Sequence, residues 1–290
     1  MSHVLKPTTD LAHRIGLVYP SLSEAHRRAA DFVLHNPLET ATMTIEGLAE
    51  RSGTSTATVT RFVRVLGFAG YSEFRAALSE ALRLAMAPVD SLADAHSTKS
   101  SAFSTFVTAI KDQAANLNET LAVVDERTFS QGMEALLRAR RIFILGSGAS
   151  HHVAAHLDEG LTLYLDANVI FASSRGGPEK AIRHIMSVGP GDLVVAISLP
   201  RYSRGTVDLA QLAKERGATV LALTDAPSSP LVPVADMTFF APARNRLLPN
   251  SPTAAFALAD AIISAIARER PDAVAALKEL SESLLLTFYQ

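Results

Sequence analysis

Two stretches rich in hydroxyl groups and glycine follow apolar runs in this 290-residue chain. The first, Gly146-Ser147-Gly148-Ala149-Ser150, comes directly after Ile142 to Leu145 and runs into a helical pattern near His151. A strand that turns into a helix through such residues offers backbone N–H groups, hydroxyls and the positive helix end to an anion, phosphate being the natural one. A dinucleotide loop needs a third glycine where His151 stands, and the Lys-Ser/Thr pair of a nucleoside triphosphate loop is missing. A tight turn of small residues has the same composition. The second stretch, Ser198-Leu199-Pro200-Arg201-Tyr202-Ser203-Arg204-Gly205-Thr206, follows Leu193 to Ile197 and precedes another helix. Two such loops after separate parallel strands fall together at the C-terminal edge of one sheet, where open α/β folds bind ligands. The candidate anion ligands are Ser147, Gly148, Ser150, Ser198, Ser203 and Thr206. Arg201 and Arg204 either add charge-assisted contacts to phosphate or carboxylate, or stand as solvated loop charges.

A different chemistry is written near the N-terminus. Ile45, Leu48 and Ala49 follow Thr44, a plausible N-cap, at helical spacing, and Gly53 breaks the run. Ser55 then caps a second helix whose apolar residues Val59, Phe62, Val63 and Leu66 share one face, closed by Gly67. Small Ala49, turn-forming Gly53 and inward Val59 give the Ala-x3-Gly-x5-Val spacing of two closely crossing helices. The opposite face of the second helix carries Ala57, Arg61 and Arg64, flanked by Thr58 and Thr60. Hydroxyl and guanidinium groups near a helix N-terminus suit the major groove of DNA, and Ser55, Thr56, Thr58, Thr60, Arg61 and Arg64 are the candidate contacts. An ordinary helical hairpin with a solvated Thr/Arg face would share the pattern. From Arg51 to Arg83 the chain holds five arginines against the two acids Glu73 and Glu80, a modestly basic stretch.

Positioning these residues takes two kinds of element. Up to the mid-eighties the pattern is helical throughout; Leu22, Ala25, Ala29, Phe32 and Val33 recur at helical spacing after Ser21 and Ser23, and Asn36-Pro37 ends that run. Residues 87–104, with Pro88 and several serines, read as a linker between domains at 1–86 and 105–290. Beyond it, a helical lead-in through Phe106, Ile110, Leu117 and Leu121 precedes the apolar runs Ile142 to Leu145, Asn168 to Phe171, Leu193 to Ile197, Val220 to Leu223 and Met237 to Phe240. These alternate with helical segments such as Val153 to Tyr164, Thr206 to Arg216 and Ala254 to Ile266, which predicts a parallel sheet covered on both faces. A last helix from Asp272 to Phe288 carries Val274, Leu277, Leu280, Leu284 and Leu285, for the core or a subunit interface.

Composition narrows the classes. There are 27 Lys and Arg against 29 Asp and Glu, a formal net charge of −2, and 48% hydrophobic residues, enough for a sizeable core. Without cysteine there is no disulfide framework, thiolate nucleophile or Cys-ligated zinc, which fits a reducing cytoplasm. No apolar stretch is long enough to span a membrane, and Met1 to Asp10 does not resemble a secretion signal. His152 and His156 have metal-ligand spacing, but the Glu of a His-Glu-x-x-His motif and a third ligand are missing, so no metal and no cofactor are expected. Neither Ser147 nor Ser150 sits in a nucleophile elbow, so no catalytic residue is assigned.

From Leu22 to Leu78 the chain resembles the DNA-binding domain of the RpiR family of bacterial transcription regulators. The match is densest at Ile45 to Phe74, where the family's Ser-x-x-Thr-Val-x-Arg-Phe core falls on Ser55 to Phe62 and its Leu-Gly-Phe-x-Gly-Tyr-x-Glu-Phe tail on Leu66 to Phe74. Phe68, Tyr71 and Phe74, with Gly67 and Gly70, are expected to be structural. Glu126 to Glu269 resembles a SIS (sugar isomerase) domain, which follows the helix-turn-helix in that family. The resemblance implies an all-α helix-turn-helix domain plus a flavodoxin-like three-layer α/β sandwich that binds phosphosugars. The usual second loop of such domains, Ser-x-Ser-Gly-x-Thr-x-Glu-Thr, lies without gaps on Ser198 to Thr206. This chain departs from it at Pro200, Arg201, Ser203 and Gly205, and the missing carboxylate at Gly205 weakens any enzymatic reading.

The expected function is that of a cytoplasmic transcription regulator, a repressor by resemblance, whose SIS domain senses a phosphorylated sugar or sugar acid. Its expected partners are double-stranded operator DNA, the effector and further copies of itself in a homodimer or homotetramer. The alternative is a phosphosugar isomerase or lyase whose helical N-terminus merely packs on the sheet domain.

Overall fold

The computed structural model describes residues 9–97, 100–165, 168–174 and 176–285. Its chain divides into two compact units, Met1–Ser97 and Thr98–Gln290.

The first unit is helical: α1 (Thr9–Val18), α2 (Glu24–His35), α3 (Pro37–Thr42), α4 (Ile45–Arg51), α5 (Thr56–Val65) and α6 (Tyr71–Ser97). The helix starts follow from side-chain caps. Ser23, Thr44 and Ser55 each accept a backbone N–H of their own first turn, from His26, Gly47 and Thr58. Pro37 does more than end α2, because it occupies the first turn of α3, where a missing N–H costs nothing. Gly53 at φ 62° and Gly67 at φ 86° take left-handed angles at the two turns around α5. The core gathers Ile15, Val33, Leu48, Val59, Phe62, Val63, Phe74 and Leu78, all almost wholly buried. Phe68 meets the edge of Phe74 at 5.5 Å, and Tyr71 lies 5.9 Å from the same ring while its hydroxyl donates to the carbonyl of Met43. The tail after α5 therefore clamps α6 onto the hairpin, as its aromatic residues predict.

Helix α6 runs on to Ser97, well into the stretch expected to be linker; its next neighbour, α7 (Ala102–Val123), opens with Ser101 as N-cap. Pro88 stands inside α6 and does not end it. Residues 98 and 99 of that stretch lie outside the described residues.

In the second unit, α7 and α8 (Glu126–Arg138) precede β1 (Arg141–Gly146), α9 (Ala149–Tyr164), β2 (Asn168–Phe171), α10 (Gly177–Met186), β3 (Asp192–Ser198), α11 (Arg204–Glu215), β4 (Thr219–Thr224), β5 (Met237–Phe240), α12 (Thr253–Glu269) and α13 (Ala273–Leu284). All strand pairs are parallel, in the order β2-β1-β3-β4-β5. Each of the five apolar runs in the sequence is a strand. Side chains alternate across the sheet, so Ile142, Ile144, Val195 and Leu221 pack under α8, α9 and α12, while Phe143, Val194, Ala196 and Ala222 face α10 and α11. The result is a three-layer sandwich. Every residue of β3 is buried, and a fully buried Val, Leu or Ile contributes about 1.5–3 kcal/mol each, so this central strand anchors the unit.

Of the expected last helix, α13 covers residues 273–284, and 286–288 lie outside the described residues. Val274, Leu277, Leu280 and Leu285 are exposed, so this stripe does not belong to the core of its own unit. On α7, Phe106, Ile110 and Leu121 are likewise exposed. No described helix is long and apolar enough to cross a membrane.

Candidate functional site

In the first unit the second helix of the hairpin, α5, presents a defined face. Val59, Phe62 and Val63 are fully buried, which turns Thr56, Ala57, Arg61 and Arg64 to the exterior. Neither arginine has a salt bridge among the described residues. Ser55 is exposed at the helix start, where its hydroxyl accepts the Thr58 N–H at 3.2 Å. Thr60 is half-buried and its hydroxyl donates back to the carbonyl of Thr56 at 2.9 Å. Thr58 departs from the sequence reading. It is 9% exposed and its hydroxyl lies 3.0 Å from that of Ser55, so it belongs to the inner side of the cap and not to the polar face. Arg28, which no spacing singled out, reaches from α2 to the carbonyl of Gly53 at 3.4 Å and ties α2 to the turn of the hairpin.

In the second unit the two hydroxyl-bearing loops meet. The strand order places β1 beside β3, with Gly146 opposite Ile197 in register. The loop after β1 leads to α9 on one face of the sheet and the loop after β3 to α11 on the other. Such a switch point leaves a crevice at the strand ends, and two helix N-termini point into it here, their first N–H groups lacking partners within the helix.

A chain of hydrogen bonds organises the crevice. Ser150 Oγ accepts the Leu199 N–H at 3.2 Å, Ser198 Oγ accepts the Ser203 N–H at 3.2 Å, and Ser203 Oγ caps α11 by accepting the Thr206 N–H at 3.4 Å. The Thr206 hydroxyl lies 3.5 Å from that of Ser147. Each serine that accepts a backbone N–H keeps its own O–H available as a donor, which is what an anion requires. Ser147, Gly148 and Arg201 are exposed, Ser203 and Arg204 are partly buried, and Ser150, Ser198 and Thr206 are buried. The candidate residues are thus brought together, the buried three shaping the loops from beneath. Arg204 pairs with Asp208 one turn along α11 at 3.1 Å. Gly148 adopts φ 60°, ψ −129°, open in practice only to glycine. A Cβ on Gly146 would lie 2.5 Å from the carbonyl oxygen of Ser150, so the strand end must be glycine for α9 to start this close.

Several participants escaped the sequence reading. Ser173, just past β2, clasps Gly146 through both its N–H (2.9 Å) and its carbonyl (2.8 Å). Thr224 at the end of β4 donates to the carbonyl of Ser198 at 2.7 Å. Tyr202 donates to Asp225 at 2.7 Å. Burial raises the Asp225 carboxyl above its usual range, with the Tyr202 hydrogen bond acting against it, while burial and that same bond raise the Tyr202 phenol. All of these positions lie at or within a few residues of the C-terminal end of a strand, and polar residues are too common there to select them. The histidines take other roles: His151 packs on Phe171 at 4.9 Å, and His156 bridges α9 to Asp260 of α12 at 2.6 Å. Among the described residues no three His, Asp or Glu side chains gather as metal ligands do.

Comparison with known proteins bears on both units. A helix-turn-helix domain of the rpiR family matches residues 9–84, and a SIS domain matches residues 135–282. The helix-turn-helix-type transcriptional regulator HexR of Pseudomonas aeruginosa is 32% identical over 228 residues, 77% of this chain and 75% of that one. A helix-turn-helix-type transcriptional regulator of Haemophilus influenzae is 27% identical over 231 residues, 78% of each chain. Among solved structures, the sugar isomerase domain of an RpiR transcription factor from Sphaerobacter thermophilus is 31% identical with a TM-score of 0.55, covering 61% of this chain and 97% of that one. The Vibrio vulnificus NanR protein complexed with ManNAc-6P shares the fold at 24% identity and a TM-score of 0.59, over 97% of this chain and all of the other.

Proposed function

Given that the chain belongs to the RpiR family of helix-turn-helix transcriptional regulators with a SIS domain, we propose that it is a cytoplasmic repressor whose α/β unit senses a phosphorylated sugar or sugar acid. The observation that carries the sensing role is the convergence of Ser147 and Thr206, 3.5 Å apart, from loops on adjacent strands. In this reading the phosphate sits over the starts of α9 and α11. Ser147, Gly148 and Ser203 face it, while Ser150, Ser198 and Thr206 hold the loops and donate their remaining O–H groups from beneath. Arg201 stands exposed at the rim for a second anionic group. NanR, which shares the fold, is complexed with a sugar phosphate, and this supports the ligand class. The protein acts as a sensor and not as a catalyst: the regulator kinship and the missing carboxylate at Gly205 both favour this.

DNA recognition falls to α5, with Ser55, Thr56 and Thr60 near the backbone of the duplex and Arg61 and Arg64 reaching for base edges or phosphates. One hairpin covers little DNA, so a homodimer or homotetramer reads two half-sites of a near-palindromic operator. The exposed apolar residues Val274, Leu277 and Leu280 of α13, and Phe106 and Ile110 of α7, suit the contact between copies. Ligand regulates by its differential affinity for two arrangements of that assembly, relieving repression.

The test is a titration of the protein against a labelled fragment of its own upstream region, with unrelated DNA as competitor, at two salt concentrations. Specific binding survives competitor at the higher salt, whereas phosphate contacts alone do not. Sugar phosphates added to the complex then release the DNA. Loss of all binding with competitor, repeated on a selected random library, overturns the regulator reading.

A further inference from the structure

On the β4–β5 side of the second loop lies a cleft of about 470 Å³, bordered by α7, Pro200, Asp225 and the segment after β5 that carries Arg244 and Arg246. Of the cradle loops only Pro200 reaches it; the hydroxyls of the cradle do not line it.

Asn116 of α7 also lines the cleft and is fully buried. Its Nδ2 donates to the carbonyl of Arg244 at 2.8 Å, which fixes the orientation of the amide, since the reverse would set two oxygens face to face. Oδ1 is left as a buried acceptor with no partner among the described residues. Buried acceptors are nearly always satisfied, and an asparagine gains nothing in a helix interior by propensity, so the oxygen calls for a donor from outside.

The walls say what kind of donor. Arg246 is held by Asp112 at 2.9 Å and Arg244 by Glu119, so their charges are matched and the cleft is not built for a second phosphate. Ala115 and Ala243 leave room, Pro249 and Pro200 offer flat apolar surface, and Asp225 adds an acceptor. Small and apolar residues set beside acceptors and charge-matched arginines suit a neutral hydroxylated group better than an anion.

We infer that this cleft receives the hydroxyl-bearing carbon chain of the effector, with Asn116 Oδ1 accepting from one of its hydroxyls. The inference rests on the phosphate reading of the neighbouring cradle. Asn116 is then a specificity determinant: a site built to bond a hydroxyl discriminates strongly against an analogue that lacks it.

The test is calorimetric titration of the full chain with inorganic phosphate and with glucose 6-phosphate, fructose 6-phosphate, 6-phosphogluconate and N-acetylmannosamine 6-phosphate. Two variants are compared with the parent, Asn116→Ala and Ala115→Phe, the latter filling the cleft from an exposed helical position without touching the Asn116 hydrogen bonds. Both are expected to bind inorganic phosphate within about twofold of the parent while losing about tenfold or more on the sugar phosphate bound most tightly. Unchanged sugar phosphate affinity in Ala115→Phe overturns the cleft assignment and leaves the cradle standing, even if Asn116→Ala fails to fold. If the parent binds phosphate but gains no affinity for any of the four sugar phosphates, this inference falls alone; if it binds none of the five, the cradle reading falls with it.

Discussion

The hydroxyl of Ser150, in the first turn of α9, accepts the backbone N–H of Leu199, the first residue after β3, at 3.2 Å. This single bond joins two loops that leave the sheet toward opposite faces. Both residues are buried, so the N–H has no water to fall back on. Ser150→Ala is therefore expected to cost about 1–3 kcal/mol of stability, the penalty of a buried unsatisfied donor. Chemical denaturation of the two proteins measures it, and a change below about 0.5 kcal/mol contradicts the role.

Combining Ser150→Ala with Ser198→Ala removes two of the hydroxyl acceptors that shape the second loop. The double variant is expected to lose sugar-phosphate-induced thermal stabilisation while retaining operator affinity without ligand. Retained thermal shifts would move the ligand to a different pocket.

Arg61 and Arg64 stand on the exposed face of α5 with different expected duties. Arg61→Ala is expected to weaken operator binding by about 1–3 kcal/mol and to relax the preference at one base pair. Arg64→Ala, if it meets the backbone, weakens all sequences alike and lowers the salt dependence by about one unit. Thr58→Val makes a useful contrast: its effect is expected on helix stability more than on base preference, because the hydroxyl faces Ser55. Binding titrations over a set of single-base operator variants separate these outcomes.

Asp192, at the start of β3, is buried beneath Arg140 and Arg141, with Arg141 at 2.5 Å. Burial by itself raises its carboxyl, but hydrogen bonds from Arg141, the Gly189 N–H and Arg140 outweigh that and hold it below the usual range. A depressed folded-state value means that the pair stabilises the fold above the unfolded value of about 4 and that this is lost as the pH falls through the folded value. Asp192→Asn is expected to cost about 2 kcal/mol or more at pH 7, short of the roughly 3–5 of a fully buried pair because the arginines are partly solvated. Measured against pH, the difference between parent and variant should close below about pH 4. A difference independent of pH would mean that packing, not charge, carries the effect.

Gly146→Ala sets a Cβ 2.5 Å from the Ser150 carbonyl oxygen, which is backbone and cannot swing aside. The start of α9 must shift, so both stability and phosphate affinity are expected to fall, by about 1–3 kcal/mol in stability. Gly148→Ala strains a positive φ without any clash, and comparing the two by thermal unfolding separates crowding from backbone strain.

Much of this was legible locally. The five strands appear as apolar runs, and the hairpin as Thr44 and Ser55 capping two apolar stripes around Gly53, because periodicity, caps and left-handed glycines act within a turn or two of chain. The reading failed where a longer context decided. Pro88 and the serines around it point to a stretch without helix, yet α6 continues to Ser97, and the two units divide there, inside that stretch. Thr58 seemed to flank the polar face, but its side chain turns inward to Ser55, since a helical position one step from the apolar stripe can fall on either side of its edge. Asn116 gave no signal at all: its partner Arg244 lies 128 residues away.

Sequence alone therefore determined the order of the five strands, the caps of α4 and α5, the faces of α5 apart from Thr58 and the two hydroxyl-rich loops, all consequences of local backbone chemistry. Tertiary structure decided which loops meet. Placing β1 beside β3, in the order β2-β1-β3-β4-β5, brings Ser147 within 3.5 Å of Thr206, 59 residues along the chain. Strand order is a property of how helices cover both faces of the whole sheet, and no single segment carries it.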